Sequence, residues 1–185
     1  MIITLSGRRI DAPDATNARF PLEKRALVQK RLVALFKEQQ ATALVASAAC
    51  GADLLALEIA GQAGIRRRII LPLAPAHFRA TSVIDRPGEW GALYDWIIAE
   101  VQQANDLVLL NAQEGNDALY LYTNRVILDE AQKLAQTEAA GRSSVSQLLA
   151  VIVWEGRDRG KDDITLDFAN EARARAIPVM EVLTV

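Results

Sequence analysis

Short, unbroken apolar runs alternate with longer amphipathic segments along this chain, and that alternation constrains the fold more than any other feature. Leu148 to Trp154 reads LLAVIVW, with no polar residue in it. A strand wetted on one face alternates polar and apolar residues, whereas a strand covered on both faces does not. Similar runs recur at Ile2 to Ser6, ended by Gly7, at Ala43 to Ser47, at Arg68 to Leu73, stopped by Pro72 and Pro75, at Asp106 to Leu110 (DLVLL), and at Val179 to Leu183. Helical segments lie between them. Leu22 to Gln39 is opened by Pro21, at a position helices tolerate. Gly51 to Gln62 is apolar on most sides. From Glu89 to Ala104, the residues Trp90, Leu93, Tyr94, Ile97, Ile98 and Val101 recur at helical spacing. Asp117 to Gln136 and Thr165 to Ala176 complete the set. Ala74 to Pro87 reads as a loop, long for a connection and so a functional candidate. Thr137 to Ser146 reads as a polar surface linker.

Strand and helix in regular succession, with continuously apolar strands, predict an α/β fold. The expected architecture is a doubly wound, mostly parallel sheet of about six strands with helices on both faces, which is Rossmann-like. The length of 185 residues suits a single domain over 1–185. Ligands of such folds bind beyond the carboxyl ends of the strands, at the topological switch point. Function is therefore expected in the loops that begin at Ser6, Ser47, Leu73, Leu110 and Trp154.

Composition narrows the classes. Hydrophobic residues make up 51% and charged residues 24%, an ordinary globular profile. The formal net charge of −2 gives no field favouring nucleic acid, so a nucleic-acid partner is not expected. The single cysteine excludes an internal disulfide. MIITLSGRRID has no basic leader region, and no apolar run approaches the roughly 20 residues that span a membrane. The expected location is cytoplasmic. No HExxH, CxxC or paired-histidine pattern occurs, so no metal site is expected. GxxxxGK[ST] and GxGxxG are absent as well.

The second of those loops, ASAACGADLLALEIA from Ala46 to Ala60, carries the sharpest signal. Ser47, Ala48, Ala49, Cys50 and Gly51 have side chains small enough to let backbone amides approach a ligand. The helix that follows adds its positive N-terminal end, which favours an anion. Asp53, in the first helical turn, can accept hydrogen bonds from free amides and brace the loop. The same small residues also suit tight packing of helix on sheet. Cys50 at a helix N-terminus has the setting of a reactive thiol. A catalytic cysteine needs a base, however, and the one histidine, His77, lies two loops away, so Cys50 reads as a small buried residue. Arg8 and Arg9, directly after the first strand beside Ser6 and Gly7, have the fork that clamps phosphate. The third loop offers Phe78, Arg79, Thr81, Ser82 and Arg86, a mixture suited to a ligand with one charged and one aromatic end. Trp90 fits the apolar stripe of its helix. Asn124 and Arg125 are polar neighbours in mid-helix, and Thr165 or Asp163 can cap the last helix.

A strand, a run of small residues and then GADLLALEIA resembles the SLOG superfamily of Rossmann-like nucleotide-binding domains. That group includes the DNA-processing protein A core and the cytokinin-activating LOG enzymes. Ala46, Ala49, Gly51 and Asp53 fall in register with the S-G-x-A-x-G-x-D run of the DNA-processing branch, with Ser47 where Gly is usual. SGRRID, RATSVIDRPGEWGALYD and TLDF look like an uncharacterised bacterial branch. The PGGxGTxxE motif of LOG enzymes has no counterpart, since the corresponding region reads LNAQEGNDALYLYTN. The resemblance implies binding or sensing of a nucleotide or nucleotide-derived ligand. Its phosphate would sit on the Ala48–Ala52 backbone, with Arg9 and Arg79 as counter-charges. Gly7 would let the chain pass near the ligand, and Phe78 or Trp154 would stack on the base. No catalytic set is visible and no cofactor is implied beyond that ligand. One alternative is a hydrolase that cleaves an N-glycosidic bond with Glu114 or Glu155. Another is a homo-oligomeric scaffold with a vestigial pocket. Related folds often form homodimers, so a homodimer is expected.

Overall fold

The computed structural model describes residues 1–113, 115–140, 147–160 and 163–185. Its centre is one six-stranded sheet, parallel throughout, with strands β1 (Ile2–Gly7), β2 (Ala43–Ala46), β3 (Arg66–Leu71), β4 (Leu107–Leu109), β5 (Leu148–Trp154) and β6 (Val179–Leu183). The helices are α1 (Arg25–Glu38), α2 (Ala52–Gln62), α3 (Pro75–Ser82), α4 (Trp90–Gln103), α5 (Asp117–Ala140) and α6 (Ile164–Ala174). The α/β class and the parallel, doubly wound architecture are those the apolar runs predict.

Burial explains why the strand sequences do not alternate. Ile3, Leu5, Leu44, Ile69, Val151 and Val153 face α1, α2 and α4 in one core, which holds Leu32, Leu54, Trp90 and Ile97. Ile2, Val45, Ile70, Ala150 and Ile152 face α5 and α6 in a second core, with Leu128 and Phe168. Each Ile, Leu, Val or Phe among them stabilises the fold by roughly 1.5–3 kcal/mol when taken fully out of water.

Two segments differ from expectation. The stretch expected as a loop contains α3, with Pro75 in its first turn and Phe78 and Ser82 buried. Proline breaks a helix interior but suits its first turn, so Pro75 starts an element where it reads as a stop. The helix expected to end at Gln136 continues as α5 to Ala140, and Thr137 returns its hydroxyl to the carbonyl of Lys133 at 2.9 Å. The rest of the expected linker, residues 141–146, lies outside the described residues. Strand β3 also begins earlier, because Arg66 pairs with Ala43.

The strand order is β4-β3-β2-β1-β5-β6. From β1 the chain winds outward through β2 and β3 to β4, then α5 carries it back across the sheet to β5, on the other side of β1. The order therefore reverses between β1 and β5, which makes the carboxyl ends of those strands the switch point. Among the described residues, no helix is long and apolar enough to cross a membrane.

Candidate functional site

A cavity of about 540 Å³ opens at this switch point. Its walls come from the end of β1 and the loop after it, the β2–α2 loop, α3, α5, and the loop that enters α6.

Gly7 sets the floor. A Cβ there would lie 2.4 Å from the Cβ of Ala52 and 2.8 Å from that of Val153, so glycine is what lets α2 and β5 close on the end of β1. Gly51, at a φ of +100°, does the same between loops: a Cβ would come within 2.8 Å of the Arg8 carbonyl and the Ile10 amide.

Arg8 joins β1 to the far loop. Its Nε donates to Glu155 at 2.6 Å, and its Nη1 and Nη2 donate to the two oxygens of Asp163 at 2.6 and 2.7 Å. Asp163 in turn accepts the Leu166 amide at 3.0 Å, capping α6. Burial works against the Arg8 charge, but the two carboxylates outweigh it and raise its pKa. Burial likewise opposes the Asp163 charge, and the Arg8 guanidinium with two backbone amides holds that carboxyl below its ordinary value. Arg8 is thus fully engaged in joining elements.

Arg19 and Arg159 lie on the cavity wall near this clamp. Arg19 approaches Glu155 at 4.0 Å. The pKa of Arg159 is lowered, first by burial and then by the charges of Arg19 and Arg8. Arg8, Arg19 and Arg159 thus stand near the carboxylates of Glu155 and Asp163, with Asp11 and Asp14 on the same wall. Arg9 pairs with Asp85, which also lies 3.6 Å from Arg86.

Asp53 stands on the β2–α2 side. Its Oδ2 accepts the Ala49 amide at 3.2 Å, while its Oδ1 is buried without a hydrogen-bond partner. Burial lifts its pKa to about 7, against the opposing pull of the Ala49 amide and of Arg9. The same cavity wall carries hydroxyls. Ser47 lies on the same loop, and Ser82 is 3% exposed with its Oγ 3.5 Å from the Tyr120 hydroxyl.

Of the residues singled out in sequence, Ser6, Gly7, Arg9, Ser47, Ala49, Asp53, Phe78, Asn124 and Thr165 line the cavity. Asn124 is fixed there by donating to the Ile164 carbonyl at 2.8 Å. Ala48, Cys50, Gly51, Arg79, Arg125 and Trp154 are not on its wall. Ala48 and Cys50 are fully buried in the core. Burial pushes the Cys50 thiol up, with Arg9 opposing. Arg79 forks onto Asp95 at 2.8 and 3.0 Å, and Trp154 sits under the Arg8 guanidinium with its Nε1 donating to Glu181. Phe78 is 1% exposed and stacks on Tyr94, which leaves its ring little surface for a ligand.

The backbone cradle expected at Ala48–Ala52 is occupied by the protein itself. The Ala49 amide goes to Asp53, that of Cys50 to the Ser82 carbonyl at 3.0 Å, and that of Ala52 to the Arg8 carbonyl at 3.1 Å. The cationic donors on this wall are the guanidinium groups. Glu155 is held by Arg8, and Glu114 lies outside the described residues. The sequence reading missed Arg19, Tyr120, Thr123 and Arg159 as wall residues. Tyr120 and Thr123 share a register with Asn124 on α5, and that spacing was the one available signal. No cluster of metal-ligating side chains occurs among the described residues.

Neither the protein-family models nor the curated proteins compared with this chain give a match.

Proposed function

We propose that the chain binds a nucleotide or nucleotide-derived ligand in the switch-point cavity, in the manner of SLOG-like domains. The observation that carries this is the pairing of the guanidinium groups of Arg19 and Arg159 with a polar wall at Asp53, Ser82 and Tyr120 in one cavity. A volume of about 540 Å³ is that of a small-molecule site. The phosphates lie against Arg19 and Arg159, and the half-buried ring of Tyr120 offers the stacking surface that Phe78 and Trp154 do not.

A thermal-shift panel of nucleoside mono-, di- and triphosphates, cyclic nucleotides, NAD and ADP-ribose tests this. A ligand at a hundredfold excess over its Kd adds about 2.7 kcal/mol of apparent stability. The melting temperature should therefore rise by several degrees for at least one member. Arg159→Ala should weaken that ligand about tenfold or more, and added salt should weaken it too. A panel without a single shift overturns the proposal.

A second reading, cleavage of an N-glycosidic bond, is favoured by one feature. Asp53 is a buried carboxyl on the cavity wall with a pKa of about 7, where a general acid or base works best. Chromatography of each hit for released base separates this reading from plain binding.

A further inference from the structure

The loop from β1 to α1 joins the cavity wall in a way its neighbours do not. Those are fastened. Arg8 and Asn124 hold the entry to α6, and the Cys50 amide ties the β2–α2 loop to the Ser82 carbonyl. Residues 11–20 are held at their two ends. The Asp11 amide donates to the Phe20 carbonyl at 3.0 Å, and Asp11 Oδ2 accepts the Arg19 and Phe20 amides at 2.9 and 3.1 Å. The Thr184 hydroxyl donates to the Arg19 carbonyl, and Ile10 and Phe20 are buried on either side. Ends this close around a short surface excursion make an Ω-loop, a form that often carries function.

Between the ends little anchors the chain. Residues 13–18 are exposed, and the run from Ala12 to Ala18, APDATNA, has no large apolar side chain to bury. Among the described residues its one internal hydrogen bond, from the Ala15 amide to the Ala12 carbonyl at 3.0 Å, stays inside the loop. Asp14, Thr16 and Asn17 all line the cavity, yet their side chains have no hydrogen-bond or ion-pair partner among the described residues. A segment with few buried apolar contacts and water-facing amides belongs to the low-stability end of a fold, from which lids are drawn. Solvent satisfies such polar groups while the cavity is open, and a ligand that displaces the solvent meets them instead. Arg19 differs from the tip. Its amide and its carbonyl are both pinned, so its backbone keeps its place while the tip moves.

We propose that residues 12–18 form a lid hinged at Asp11 and Phe20, which closes on the ligand so that the Thr16 hydroxyl and the Asn17 amide hydrogen-bond it in the closed state alone. This rests on the nucleotide reading of the same cavity. Such contacts form after the ligand has entered, so they set how slowly it leaves. The test is hydrogen–deuterium exchange on the full chain, alone and with each member of the panel of nucleoside mono-, di- and triphosphates, cyclic nucleotides, NAD and ADP-ribose that raises the melting temperature. Without nucleotide, the amides of residues 12 and 14–18 should exchange at nearly the rate of an unstructured peptide, while those of Asp11 and Phe20 are protected. A nucleotide that raises the melting temperature should slow the lid amides about tenfold or more, whereas global stabilisation alone leaves amides that exchange by local opening unslowed. The double variant Thr16→Ala, Asn17→Ala changes exposed positions and leaves the core intact. From it the same nucleotide should dissociate about tenfold faster in stopped flow, with its association rate nearly unchanged. Lid amides protected without nucleotide describe a fixed wall and overturn the proposal. A nucleotide that shifts the melt but leaves lid exchange unchanged, or leaves the double variant at the wild-type dissociation rate, overturns it too and leaves the nucleotide reading standing. If no member of the panel shifts the melt, both fall together.

Discussion

Asp53 lowers the stability of the protein wherever its carboxyl is charged. Its folded pKa is about 7 against an ordinary 3.8. Between those values the unfolded chain has released the proton and the folded chain holds it. Stability from this group therefore falls as pH rises from about 4 to about 7, by up to about 1.4 kcal/mol per pH unit, and is level above that. Asp53→Asn cannot titrate. It should be more stable than the wild type at pH 8, by on the order of 2–4 kcal/mol, with the difference shrinking towards zero near pH 4. Urea denaturation of both proteins at three pH values checks this, and an unchanged gap across the range rejects it. The position of Asp53 at a helix start was legible, because its bond to Ala49 is local. Its unpartnered oxygen was not. That depends on how the elements pack around it, which the sheet sets and not neighbours in sequence.

Elements meet at the site through one side chain. Arg8, at the end of β1, holds the Glu155 loop and the N-cap of α6 together. Arg8→Met would leave two buried carboxylates unpaired, with an expected loss of about 3–5 kcal/mol at neutral pH. The sign with pH is fixed by Asp163, whose folded pKa lies below the ordinary 3.8. The clamp contributes fully above that value and fades as pH falls through the folded one, so the deficit of Arg8→Met should narrow below about pH 4. Circular-dichroism melts at pH 7 and pH 3.5 read this out, and a deficit independent of pH contradicts it. Strand and helix identities were legible at this scale, because doubly buried strands such as LLAVIVW carry their environment in their composition. Helix α3 was not, since it is short and its opening proline doubles as a breaker elsewhere. Arg8 was recognised as a cation, but its partners lie about 150 residues away, and ion pairing at that separation leaves no local trace.

The whole molecule is two cores on one sheet. Trp90 is buried in the first, Trp154 in the second, and Trp96 is exposed. Because β1 and β5 contribute residues to both cores, the two faces should lose order together. In Trp154→Phe the buried reporter is on one face, and in Trp90→Phe it is on the other. In each variant, fluorescence and far-UV circular dichroism should give the same urea midpoint, and separate midpoints would show that the faces unfold independently. The sheet-wide layout was legible from alternation alone. Strand order was not, and strand order decides which loops meet.

That order carries a consequence for how the protein comes into being. As the chain leaves the ribosome, β1 emerges before β2, which follows soon after. The other flank of β1 is filled only by β5, with Ile2 opposite Leu148. Until then the central strand has one raw edge, and the cleft lacks the wall that α5, β5 and the α6 entry supply. A nascent chain that stops after α4 has most of one core but no closed cavity. The complete cavity is thereby reserved for chains whose synthesis has passed β5 and the entry to α6.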